Sequence, residues 1–158
     1  MAKNHGWTPR DEYFKIHYQF LRFLELYMVF PKEYDHQVVT ESHEILRVRQ
    51  IVLNTWNGNT VHAYITKDIE IRRPAGGRPE AKTYSYRYHA NQPDGRSLIR
   101  YCSPDDPYEP VKQANHRTFH HRHIFDQNGN EIRIENTEGS GTDWPHVSDF
   151  LNEVLQNF

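Results

Sequence analysis

The chain holds one cysteine, Cys102, in 158 residues, which excludes an internal disulfide and suits a reducing compartment. Long apolar runs are missing as well. No stretch of about 18 apolar residues occurs, and the opening Met1-Ala-Lys-Asn-His-Gly-Trp7 carries no apolar leader core. The expectation is a soluble, cytoplasmic protein with no membrane partner. An excess of one charge is lacking too. Lys and Arg number 19 against 21 Asp and Glu, a formal net charge of −2 with histidines neutral, and this excludes a strongly basic nucleic-acid binder held by phosphate attraction alone. Apolar residues make up only 36%, but ten Tyr, eight Phe and three Trp offset the deficit, because aromatic side chains bury the most area each. The core is expected to be aromatic, and residues 1–158 to form one domain.

Hydrophobic patterning divides the chain into helical ends and a stranded middle. Thr8, Pro9 and Asp11 read as the start of a helix, along which Phe14, Tyr18, Leu21 and Leu24 recur at spacings of three and four until Pro31 stops it. The run from Leu26 to Phe30 fits a buried strand equally well. Residues 1–40 are therefore expected as a helical N-terminal extension. From Glu44 the pattern changes to strands in three hairpins. The first turns at Asn57-Gly58, the second at Gly95 and the third at Gly129, each flanked by alternating or apolar segments. In the second hairpin, pairing Ala90 with Ser97 sets Tyr88 opposite Ile99, Tyr86 opposite Tyr101, Arg87 opposite Arg100 and His89 opposite Leu98. Opposed arginines repel, so that face should be wet or hold an anion. Val147, Phe150, Leu151, Val154, Leu155 and Phe158 then form an amphipathic stripe, with Asp143 or Trp144 near the cap and Pro145 in the first turn. Residues 44–158 are thus read as an antiparallel sheet core of about six strands in consecutive hairpins. With the N-terminal helix and the C-terminal amphipathic helix on one face, this is an α+β domain.

The densest chemistry lies in His116-Arg-Thr-Phe-His120-His121-Arg122-His123, which holds four of the eleven histidines. Histidine titrates near neutral pH and is the commonest metal ligand. If His120 to Phe125 is extended, His121 and His123 share one face with Phe125, and His120 and Arg122 share the other with Ile124. Three readings stay open. Imidazoles beside Arg87, Arg100, Arg122 and the tyrosines would suit metal-free RNA cleavage, with a base taking the 2′-hydroxyl proton, an acid protonating the leaving oxygen, and cations stabilising the phosphorane. His121 and His123, with His116 from the preceding loop as an alternative, would suit part of a site for a divalent metal ion, though no metal-binding spacing completes it. Histidines on a solvated edge strand would need neither. Anion binding is expected to strengthen at mildly acid pH as the imidazoles charge. Alternating Tyr84, Tyr86 and Tyr88 read as core before base-stacking platform, and Cys102 as a small buried residue.

These residues also carry a resemblance. Tyr84-x-Tyr86, a turn at Gly95, Ile99-Arg100-Tyr101 and then His120-His121-Arg122-His123 resemble, over residues 84–123, the TumE-like toxins of prokaryotic toxin–antitoxin pairs. The chain departs from that pattern in three places. Arg122 stands where the family has lysine, no proline precedes the block, and Cys102-Ser-Pro-Asp-Asp-Pro107 replaces a histidine-bearing stretch. The resemblance implies an endoribonuclease toxin neutralised by a cognate antitoxin protein. Its catalytic residues would be His120, His121, His123 and Arg122, and its RNA contacts Arg87, Arg100, Tyr86, Tyr101 and His116. No cofactor is expected, with a divalent metal on His121 and His123 as the alternative. The extra N-terminal helix would bind a partner or pair two copies into a homodimer. A non-catalytic RNA-binding or regulatory module and a metal-dependent nuclease are the competing functions.

Overall fold

The computed structural model describes residues 6–26, 31–103, 120–136 and 147–158. His116, residues 27–30 of the ambiguous run and the expected cap at Asp143, Trp144 and Pro145 lie outside them. The described residues form an antiparallel sheet with two helices, the architecture that the patterning predicts. The elements are β1 (Thr8–Pro9), α1 (Arg10–Leu26), β2 (Pro31–Thr40), β3 (His43–Asn54), β4 (Thr60–Arg72), β5 (Glu80–Asn91), β6 (Ser97–Cys102), β7 (His121–Phe125), β8 (Glu131–Asn136) and α2 (Val147–Asn157). Strands β2 to β8 lie side by side in chain order, and β1 pairs with the start of β5. Among the described residues no helix is long and apolar enough to cross a membrane.

Each predicted hairpin closes where its glycine allows. Gly58 and Gly129 sit at φ 83°, and their amides donate to Thr55 and Asp126. A side chain would be strained there. Two strands exceed the expected six. Pro31 to Thr40 extends the sheet beyond β3 as an edge strand, where helix had been expected, and Thr8-Pro9 pairs with Ala81 and Glu80 immediately before α1 begins. Proline suits both places because neither needs an amide donor to a central ladder.

Both helices cover one face of the sheet. Tyr13 of α1 is hydrogen-bonded to Thr83 at 2.6 Å, and Arg10 donates to buried Glu44 of β3, which also contacts His36 of β2. From α2, Val147, Phe150, Leu151, Val154 and Leu155 are all buried, as their spacing requires. Phe150 meets Tyr88 and Tyr101, with ring centroids 5.8 and 5.4 Å apart. The core is aromatic where α2 docks and aliphatic along β3 and β4.

Two bulges change which residues face the helices. In β3 the register slips between Val48 and Ile51 around Gln50, whose φ is 55°, so the buried set passes from Leu46 and Val48 to Ile51 and Leu53. In β5, Asp68 pairs with Ser85 but Ile69 pairs with Thr83, leaving Tyr84 as the extra residue. Tyr84 is 48% exposed while Tyr86 and Tyr88 are buried. The tyrosine ladder is therefore two core residues and one surface residue.

Candidate functional site on the face away from the helices

Strand pairing assembles the site in two adjacent rungs. One rung runs Thr66, Arg87, Cys102, His121 and Asn136 across β4 to β8; the next runs Tyr64, His89, Arg100, His123 and Ile134. Side chains of neighbouring rungs at this spacing share one face. This face is opposite the one that carries Tyr86, Tyr88 and Tyr101 against the helices. The β5–β6 register lies two residues from the expected one. Tyr88 pairs with Tyr101 and Ala90 with Ile99, because a bulge at Ala90–Asn91 and a turn closed from Gln92 to Arg96 lengthen the loop end. A two-residue slip preserves the faces, but it places Arg87 opposite Cys102 and Arg100 opposite His89. The two arginines are diagonal neighbours, not opposed.

Three side chains converge here. Cys102 is directly across from His121, and His123 follows two residues on; one potential ligand atom from each lies within 4.8 Å of the others. All three are buried. The two imidazole rings meet edge to face, with centroids 5.0 Å apart. His123 shares a hydrogen bond through Nδ1 with Glu131 at the start of β8, and Arg100 Nη2 lies 3.9 Å from the same carboxylate oxygen. Arg100 Nε is buried with no hydrogen-bond partner, and its guanidinium lies 5.8 Å from the Phe125 ring centroid.

Of the other predicted site residues, His116 lies outside the described residues, and His120, Arg122, Tyr86 and Tyr101 sit on the helix face. His120 Nδ1 and the Tyr86 hydroxyl are 2.9 Å apart with stacked rings, both buried. Arg122 donates to Glu135 at 2.8 Å and to Glu153 of α2 at 2.5 Å. It thereby ties β7 and β8 to the helix. The structure thus brings His121, His123, Arg87 and Arg100 together and sets His120, Arg122, Tyr86 and Tyr101 on the other face.

His89 stacks on Tyr64, with centroids 4.7 Å apart and planes 10° apart. Burial, and then the charges of Arg87 and Arg100, lower its pKa from 6.5 to about 4. It is neutral at physiological pH and adds no positive charge there. Because the unfolded chain takes up this proton first, stability should fall as pH drops from 6.5 through 4, by about 2 kcal/mol once partial solvent access is discounted. Denaturation of the His89→Gln variant should lack that part of the acid limb; an unchanged limb would show that His89 does not cause it.

Two residues escaped the sequence reading of the site, and a third, Lys67, escaped that of the helix face. Cys102 had been taken as packing only, since its partners arrive from β7. Glu131 lies at a hairpin start with no pattern of its own. Lys67 is 2% exposed, 5.8 Å from the Tyr13 ring centroid, and paired across the ladder with Tyr86. Burial brings its pKa down to about 7. Its parity with Val61, Ala63, Ile65, Ile69 and Ile71 was the signal for that burial. Comparison of the chain with protein-family models, with curated proteins and with solved structures gave no match.

Proposed function

We propose that the protein is an endoribonuclease, the toxin of a toxin–antitoxin pair, and that the face formed by β5, β6 and β7 is its phosphodiester-handling site. The observation that carries this is the pair of rungs that sets Arg87 and Arg100 beside His121 and His123, with a buried Arg100 N–H lacking a partner. A phosphate oxygen would satisfy that donor through a charge-assisted hydrogen bond. RNA as the substrate and a neighbouring antitoxin as the partner rest on the resemblance over residues 84–123. His120 and Arg122 leave the catalytic set in this reading. They support the sheet from the helix side.

Arg100→Ala should lower RNA cleavage about 10²-fold or more, the usual cost of removing one positioned donor to a developing charge. It should also reduce the slope of log affinity against log salt by about one. Cleavage of total RNA and salt-dependent binding by wild type and variant measure both, and equal activity would remove Arg100 from the site. Burial of His121 and His123 favours a second reading, a non-catalytic RNA-binding module in which only the arginines touch RNA. Loss of binding in Arg100→Ala, with no cleavage by wild type under any condition, would select it. Protection of cells by the product of the adjacent gene tests the toxin assignment separately.

A further inference from the structure

We infer that Cys102, His121 and His123 form a binding site for one zinc-class cation, with Glu131 as the carboxylate that orients His123. Among the described residues this is the one set of three candidate ligands that comes together. Zinc bonds of about 2.0 to 2.3 Å in a tetrahedron place ligand atoms about 3.5 Å apart. From separations within 4.8 Å, closure requires side-chain adjustments of about an ångström. The ligands stand on two hydrogen-bonded strands, so their relative positions are set by the β6–β7 register and not by a loop. Burial of a thiol and two imidazoles against one another supplies the dry, N- and S-donor surroundings that a soft or borderline ion prefers over magnesium or calcium.

Glu131 completes the arrangement. Its hydrogen bond to His123 Nδ1 is the carboxylate–histidine pairing common to metal centres, which would leave Nε2 to bind the ion. Three protein ligands leave a fourth coordination position, the composition of zinc sites that act on substrates. Arg100 lies on the same face, one rung from Cys102 and directly across from His123. An anion at the fourth position would be held from that side. Assigning the ion to activation of a phosphodiester rests on the ribonuclease reading; the site itself rests only on its geometry.

The test uses the full chain, stripped with chelator and titrated with Co²⁺ and then Zn²⁺. One equivalent of cobalt should bind with a thiolate charge-transfer band and tetrahedral ligand-field bands, and zinc should displace it. Cys102→Ser should abolish the charge-transfer band. Glu131→Gln should keep the stoichiometry but weaken affinity ten- to a hundredfold. Both substitutions are close to isosteric, so circular dichroism and thermal melts should show folded protein, which His121→Ala and His123→Ala do not guarantee. Absence of saturable, thiolate-ligated cobalt in wild type would overturn the site, and undiminished affinity in Glu131→Gln would overturn the role of that carboxylate. RNA supplies the separating arm. Metal binding without RNA cleavage would overturn the ribonuclease and leave the site standing, while cleavage unaffected by stripping would overturn the ion's part in it.

Discussion

Lys67→Met is expected to stabilise the fold by about 3 kcal/mol at pH 7. Among the described residues Lys67 is the one lysine placed with the buried residues of the helix face, and burial brings its pKa from 10.5 to about 7. Each pH unit of separation is about 1.4 kcal/mol, so the penalty at neutral pH is about 4 kcal/mol. Loss of the amine's contacts offsets part of the gain. The sign follows from proton uptake. Above pH 10.5 neither state is protonated and the penalty vanishes; as pH falls towards 7 the unfolded chain charges first, and below 7 the penalty is constant. Urea denaturation of wild type and Lys67→Met at pH 7 and above pH 10.5 should show a difference that closes at the higher pH. A variant no more stable at pH 7 would mean that the amine's partners compensate its burial. A core lysine near half protonation is also a functional candidate in its own right, and its neighbour across the ladder, Tyr86, contacts His120.

Phe150→Ala should cost about 4 kcal/mol, the largest loss anticipated for a single residue of α2. The ring is fully buried between Tyr88 at 48° and Tyr101 at 69°. Truncation removes its transfer free energy, leaves a cavity that two strands cannot close, and forfeits two aromatic contacts. The same helix supplies Glu153, which anchors Arg122 on β7, so loosening α2 should also loosen the strand that bears His121 and His123. Chemical denaturation gives the stability loss. Faster amide exchange in β7 should accompany it if α2 supports that strand, and unchanged exchange there would dismiss the link. Tyr84→Ala, at an exposed bulge residue, should change stability by no more than about 0.5 kcal/mol.

What the sequence conveyed about this fold depended on the range of the signal. Asn57-Gly58, Gly95 and Gly129 located three hairpins because each turn needs a positive φ that glycine supplies without strain. The stripe from Val147 to Leu155 likewise gave α2. Edge strand β2 was hidden, since Lys32-Glu33-Tyr34-Asp35 is mostly exposed and shows no alternation. The bulge at Tyr84 was hidden for the opposite reason: perfect Tyr alternation continues through a register slip that only the partner strand reveals. At the site, strand parity correctly divided His121 and His123 from His120 and Arg122. Cys102 as their neighbour was illegible, because nothing local specifies which residue of β6 meets β7.

The meander has one connection unlike the rest. From β2 to β8, consecutive strands otherwise join through residues 41–42, 55–59, 73–79, 92–96 or 126–130, whereas β6 and β7 are separated by residues 103–120. Pairing across greater sequence separation is slower to form. The β7–β8 hairpin should therefore join the sheet late in folding. Because Cys102 lies on one side of that connection and His121 and His123 on the other, a nascent or partly folded chain would hold two incomplete halves. Assembly of the cluster would then mark the completion of folding.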